Sequence, residues 1–251
     1  MSSHACDFRQ SVYYPACGCK IKGLIMYKAV LFDAYGTLLD VDAAAANLAA
    51  TNRFPKLAAS WPELSALWRS RQLNYTWLRS LSHSYAPFWQ LTCDALDYAM
   101  EACDLVDLDM RAALLDLYRE LDAYADARLA LDAVHAAGLP AAVLSNGNQQ
   151  MVDHAFAAAG LTDMLDSLIS VEDVGVFKPD PRVYQLGCDC YQARPEEILF
   201  VSSNGWDAAA AGLFGFKTIW ANRAGLPVER LPRHPDFIAS GLDFITEHLS
   251  S

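Results

Sequence analysis

Apolar residues along the chain fall into two patterns. Short unbroken runs recur at Lys28-Ala-Val-Leu-Phe32, Ala141-Ala-Val-Leu144, Ile198-Leu-Phe-Val201 and Thr218-Ile-Trp220, with a weaker one at Ser167-Leu-Ile-Ser170. Runs this short, without polar alternation, read as strands buried on both faces of a parallel sheet. Helical segments separate them, among them Gln149 to Ala159 and Asp207 to Leu213. Strands alternating with helices predict βαβ crossovers and a sheet covered on both sides.

Between Asp42 and about Ala125 the strand pattern disappears. Trp61 to Leu81 and Phe88 to Cys103 read as helices rich in Trp, Leu and Tyr. Leu114, Leu117, Tyr118 and Leu121 follow the i, i+3, i+4, i+7 stripe of an amphipathic helix. A helical block of about 80 residues is too long for one crossover, so it predicts a separate cap. The sheet is expected to resume near Leu129. The fold class read from this pattern is α/β, a Rossmann-like parallel sheet core with an inserted helical cap subdomain. The core covers residues 26–41 and 126–251, and the cap residues 42–125. Residues 1–25 show no repeating apolar face and none of the parts of a secretory signal. They are expected to form a disordered extension, or to reflect translation taken from too early a start.

Composition narrows the class. A length of 251 residues supports one large core, or a core with a small satellite. Thirty acidic against nineteen basic residues give a net charge of −11, which argues against nucleic acid as a partner. No stretch approaches the roughly 20 apolar residues of a membrane-spanning helix. Seven cysteines in a chain of this length do not make a disulfide scaffold. The pairs Cys17-x-Cys19 and Cys188-x-Cys190 resemble metal half-sites, but the spacing is too narrow and the six histidines are scattered. The expectation is an acidic, soluble, cytoplasmic protein with reduced thiols.

Three of the apolar runs end in small polar or acidic residues: Asp33, then Ser145 and Asn146, then Ser202 and Asn204. One such ending is ordinarily a helix cap. Three of them converge, because ligand crevices of open parallel sheets lie outside the carboxyl ends of the strands. Lys178-Pro179 adds a cation to the set.

These residues carry a resemblance. Asp33-Ala-Tyr-Gly-Thr-Leu-Leu39, Ser145-Asn-Gly-Asn148, Lys178-Pro-Asp180 and Ser202-Ser-Asn-Gly-Trp-Asp207 resemble, in order and spacing, the four motifs of the haloacid dehalogenase superfamily. The segment Leu67-Trp-Arg-Ser-Arg-Gln-Leu-Asn-Tyr-Thr-Trp-Leu-Arg-Ser80 is similar to the signature of the L-2-haloacid dehalogenases within it. The resemblance implies Asp33 as nucleophile, with Lys178 and Asp207 completing the catalytic set. It implies Ser145 and backbone N–H groups near Tyr35 and Asn146 for the substrate carboxylate, and Arg69 with Asn146 for the departing halide. Thr37, Tyr184, Ser202 and Asn204 carry over as supporting polar groups, and Phe88 and Trp206 as apolar walls. Partners are then a small halogenated carboxylic acid, water and a second copy in a homodimer, with neither nucleic acid nor membrane.

Two departures separate the chain from the superfamily's phosphatases. Those enzymes carry a second Asp, two positions after the nucleophile, to protonate an alkoxide leaving group; here Tyr35 stands there. A halide leaves as a stable anion and needs no such acid. The phosphatases also hold Mg²⁺ with an acidic fourth motif, whereas Ser202, Ser203 and Asn204 are neutral and leave Asp207 alone. No metal and no cofactor are therefore expected. Rival readings are a Mg²⁺-dependent phosphatase of the same superfamily and a non-catalytic dimeric binding relative. The second would be expected to lose Asp33 or Lys178, and both are present.

Overall fold

The computed structural model describes residues 27–250, so the expected extension over residues 1–25 lies outside the described residues. Six strands form one parallel sheet: β1 (Ala29–Phe32), β2 (Ala141–Ser145), β3 (Ser167–Ser170), β4 (Ile198–Ser202), β5 (Lys217–Ala221) and β6 (Phe237–Ala239). Their order is β3-β2-β1-β4-β5-β6. The chain moves outward from β1 in one direction through β2 and β3, and in the other through β4 to β6. The crevice where the order reverses lies between β1 and β4, the place where open α/β sheets bind ligands. Every residue of β1, β2 and β4 is buried, as their unbroken apolar sequences require. Phe32 lies in register with Val143 on one side and Val201 on the other. Asp33, Ser145 and Ser202 therefore reach the same edge of the sheet.

Five helices separate β1 from β2, and the first four are α1 (Ala43–Ala50), α2 (Pro55–Leu81), α3 (Phe88–Ala102) and α4 (Leu108–Arg119). Leu57 and Leu64 of α2, Leu91 and Leu96 of α3 and Leu114 of α4 are fully buried. Pro55 starts α2 at its first turn, where a missing N–H costs nothing. The helix thus begins six residues before the apolar pattern shows it. Tyr35, Phe88, Trp68 and Tyr118 form a chain of ring contacts where these helices meet the end of β1. The other helices are α5 (Ala127–Ala136), α6 (Gln149–Ala158), α7 (Pro181–Tyr191), α8 (Gly205–Phe214) and α9 (Phe244–Leu249).

Two details correct the sequence reading. The sheet does not resume near Leu129, which is exposed on α5; the next strand, β2, starts only at Ala141. Ala127, Ala130, Leu131 and Val134 are buried at helical spacing, so the apolar pattern there has the helix period. Strand β6 was not foreseen. It is a three-residue edge strand whose Ile238 is exposed, so no continuous apolar run marks it.

Helix α7 lies close against β1. A methyl group on Gly187 would collide with Leu31 Cδ1, in a core where Leu31 has no room to move outward. Gly187→Ala should destabilise the protein by about 1–3 kcal/mol, and Leu31→Ala by about 2–5 kcal/mol. In the double variant the new methyl occupies part of the vacated space, so the losses should be less than additive. A urea-denaturation double-mutant cycle reads this coupling directly.

Candidate active site

Asp33 leaves the sheet at the end of β1, and the turn that follows needs Gly36 at φ +91°, with Ser203 Oγ 3.3 Å from where a Cβ would stand. Lys178, in the loop before α7, and Asp207, in the first turn of α8, complete a buried ion triad. Lys178 Nζ donates to Asp33 Oδ1 at 3.0 Å and to Asp207 Oδ2 at 2.8 Å. It also lies 4.8 Å from the centre of the Phe200 ring. Burial would push the Lys178 ammonium down, but attraction by Asp207 and Asp33, with hydrogen bonds to both, holds its pKa above the ordinary 10.5. The side chain of Asp207 is fully buried, while that of Asp33 keeps 10% exposure, so Asp33 is the carboxylate that can meet a ligand.

Each carboxylate has its own donors. Asp33 Oδ2 accepts from Thr37 Oγ1 at 3.1 Å and from Asn204 Nδ2 at 3.0 Å. Thr37 is itself fixed from behind by the Ser203 N–H, 2.8 Å away. Asp207 accepts from Tyr184 OH on Oδ1 at 2.8 Å, and from Ser202 Oγ on Oδ2 at 3.1 Å beside the lysine. Three donors occupy three of the roughly four acceptor positions of a carboxylate, which leaves one for a water proton. Asn146 Oδ1 accepts the Lys178 N–H at 2.9 Å, so the amide NH₂ is the free end of this side chain.

Asp33, Tyr35, Arg69, Leu73, Phe88, Asn146, Asn204 and Trp206 line a small cavity above the triad. Arg69 of α2 donates to Tyr35 O at 3.0 Å and to Gln72 Oε1 at 2.7 Å. Tyr35 contributes its backbone, because its ring stacks on Tyr118 and its hydroxyl has no partner among the described residues. Burial, with the nearby Tyr118, holds that hydroxyl well above the normal tyrosine range, so it is no proton donor for a leaving group. Trp206 meets Trp77 edge to face at the cavity rim.

The sequence-derived residues thus sort by position. Asp33, Tyr35, Arg69, Phe88, Asn146, Asn204 and Trp206 reach the cavity. Thr37, Tyr184 and Ser202 stand behind it and hold the two carboxylates. Ser145 is fully buried, and its Oγ accepts the Gly147 N–H at 2.9 Å. Sequence reasoning missed Leu73, Gln72 and Ser203. Leu73 and Gln72 follow Arg69 at i+4 and i+3, a spacing that puts them on its helix face and could have found them. Ser203 gave no such signal, since its role is to carry Thr37.

The donor set does not suit a divalent cation. Ser202, Ser203 and Asn204 are neutral, and each is already engaged, with Asp207, with Gly36 O and with Asp33 respectively. Among the described residues no cluster of three His, Cys, Asp or Glu side chains could hold a metal. Cys93, Cys103, Cys188 and Cys190 are free, with Cys188 buried and Cys190 exposed.

The family model described as haloacid dehalogenase-like hydrolase matches residues 27–215. The chain is 50% identical to (S)-2-haloacid dehalogenase 1 of Pseudomonas sp. strain CBS-3 over 203 residues, 80% of this chain and 87% of that one. It is 47% identical to (S)-2-haloacid dehalogenase 4A of Burkholderia cepacia over 80% of this chain and 86% of that one. Among solved structures it resembles the L-2-haloacid dehalogenase of Xanthobacter autotrophicus with chloropropionic acid covalently bound. The TM-score there is 0.79 at 34% identity, covering 90% of this chain and 99% of that one. On the family match, on these identities and on the shared fold, the chain belongs to the haloacid dehalogenase-like hydrolases, beside the (S)-2-haloacid dehalogenases.

Proposed function

We propose that the protein hydrolyses short L-2-haloalkanoic acids to D-2-hydroxyacids through an ester on Asp33. The observation that carries this reading is the Asp33 carboxylate, held in place by hydrogen bonds from Lys178, Thr37 and Asn204, at the floor of a cavity whose roof holds Arg69. Asp33 attacks C2 from the side opposite the halogen. The carbon–halogen bond breaks as the carbon–oxygen bond forms, the halide leaves with the bonding pair, and C2 inverts. Water then attacks the Asp33 carboxyl carbon, with one proton accepted at the open position of Asp207. The bond from that carbon to the ester oxygen breaks, the released alkoxide takes this proton to become the hydroxyacid, and Asp33 returns to a carboxylate as the second water proton passes to solvent. Ser145 and the backbone N–H groups near Tyr35 and Asn146 hold the substrate carboxylate. Arg69 and the Asn146 amide receive the halide in a site that Phe88 and Trp206 keep dry. The halide leaves as a stable anion, so that step needs neither a metal nor a proton for its leaving group.

The site's charges support an anionic substrate. Two carboxylates, one ammonium and one guanidinium cancel, so the −11 of the whole chain is not reproduced in the cavity. We also assign the protein to the cytoplasm, in keeping with its free cysteines. No helix among the described residues is long and apolar enough to cross a membrane.

A homodimer belongs to the same proposal. A groove of about 930 Å³ runs past Trp77 and Leu81 of α2 to Pro181, Leu213, Phe214 and Leu231, and both Leu81 and Leu213 are largely exposed. A second copy would cover it. Sedimentation equilibrium should give twice the 27.6 kDa chain mass, and Leu81→Asp with Leu213→Asp should return it to one. A wild-type monomer at all concentrations would refute the assembly.

Halide release from L- and D-2-chloropropionate, with and without excess EDTA, tests the function. Release from the L isomer only, unchanged by chelator, is expected. No release from either isomer, with Mg²⁺-dependent cleavage of phosphate esters, would establish the phosphatase instead.

Asp33→Asn, checked by mass spectrometry against deamidation, and Lys178→Ala should each abolish turnover with the circular dichroism spectrum retained. Because the folded Lys178 pKa lies above 10.5, the ammonium persists until the pH passes that value. The wild-type rate should therefore not fall on the alkaline side until above it, and a fall centred near neutral pH would remove Lys178 as the controlling cation.

A further inference from the structure

Among the described residues, Arg69 is the one guanidinium lining the cavity, and it is held by neutral groups. No carboxylate among the described residues pairs with it; it donates to Tyr35 O and Gln72 Oε1, and the neutral Tyr118 hydroxyl lies beside it. Gln72 is only 1% exposed and sits in the middle of a polar network inside the cap helices. Its Nε2 donates to Thr92 Oγ1 at 2.8 Å and to Tyr118 OH at 3.0 Å. The Thr92 hydroxyl proton is committed to Phe88 O at 2.9 Å, so Thr92 can only accept from Gln72. That commitment fixes the amide: its NH₂ end faces Thr92, and its carbonyl end faces Arg69. The network is anchored again where Trp68 Nε1 donates to Thr92 O at 2.8 Å.

A buried acceptor beside an arginine is commonly a carboxylate, which gives the strongest hydrogen bond. A carboxylate here would cancel the guanidinium charge. An amide orients the same nitrogen and leaves the positive charge available to an anion in the cavity. The Tyr35–Tyr118 ring stack, with centroids 5.8 Å apart, closes the network from the Asp33 side and keeps water from it.

We propose that Gln72, oriented by Thr92 and Tyr118, is a positioning residue that aims Arg69 at the departing halide while leaving its charge uncompensated. This inference rests on the dehalogenase reading above. A wild-type enzyme that releases no halide would remove that reading, whereas the variants below address Gln72 alone.

Gln72→Glu keeps the shape and adds the charge. The Tyr118 hydroxyl, which already donates to Gln72 Oε1 at 3.3 Å, can donate to the new carboxylate, so the network has a way to close. Bromide, a halide product of the proposed reaction, is added as a test inhibitor to read the anion site. The variant should lose about tenfold or more in kcat and bind bromide about tenfold more weakly. The ratio of variant to wild-type activity should rise as pH falls and the new carboxyl takes up a proton. A wild-type kcat and bromide constant would overturn the proposal. So would a loss that is the same at every pH and leaves bromide inhibition unchanged, which is the signature of a merely structural residue.

A second experiment does not depend on that variant folding. Gln72→Met should cost several-fold in kcat when Arg69 is present and nothing further in an Arg69→Lys background, where no guanidinium remains to be aimed. Equal losses in both backgrounds would overturn the proposal.

Discussion

The ammonium of Lys178 holds two buried carboxylates at the end of the sheet, and the arrangement of the whole site depends on it. Without it, Asp33 and Asp207 would face each other across a space with almost no solvent. Breaking a buried pair by removing one partner typically costs about 3–5 kcal/mol, whereas well-packed apolar residues in place of the whole set can be neutral or stabilising. The triad is therefore a poor device for stability. Its place in the core of the molecule makes sense as a means of keeping one carboxylate oriented and open to a cavity.

That demand explains how the parts around the triad are distributed. The strand order brings β1 and β4 side by side at the point where the sheet reverses, so Asp33 and the Ser202–Asp207 segment arrive together. Helix α8 starts at Gly205 and presents Asp207 from its first turn. The donors then divide the work: Thr37 and Asn204 take Asp33, while Tyr184 and Ser202 take Asp207. The cap helices add the second cation from the opposite side. Arg69 reaches the backbone of Tyr35 and closes the cavity with Leu73, Phe88 and Trp206.

Tyr35 shows how one position separates two chemistries on one fold. In the phosphatase pattern an acid occupies this place and serves the leaving group. Here the side chain is a phenol turned into the aromatic contact with Tyr118 and Phe88, where burial keeps its proton in place. The same residue gives Arg69 a backbone acceptor. The change thus removes a proton donor and places a buried aromatic ring against the cap helices.

Much of this was legible in the amino-acid sequence. Unbroken apolar runs marked β1, β2 and β4, which are buried along their whole length, and shorter apolar runs between polar residues marked β3 and β5. The four motifs placed Asp33, Asn146, Lys178 and Asp207, because strand ends and helix starts lie at positions that local sequence dictates. The run 127–134 was misjudged because its helix period comes from four separated residues and a strand had been expected there. Strand β6 left no trace because an edge strand is stabilised by its neighbour rather than by its own side chains. What the sequence alone determined was the identity of the reactive groups and the order of the elements that carry them. Which oxygen each donor meets, that Tyr35 turns its hydroxyl away, and that Gln72 rather than a carboxylate holds Arg69 were decided by tertiary packing. Those are contacts between residues up to 171 positions apart, and short-range pattern carries no information about them.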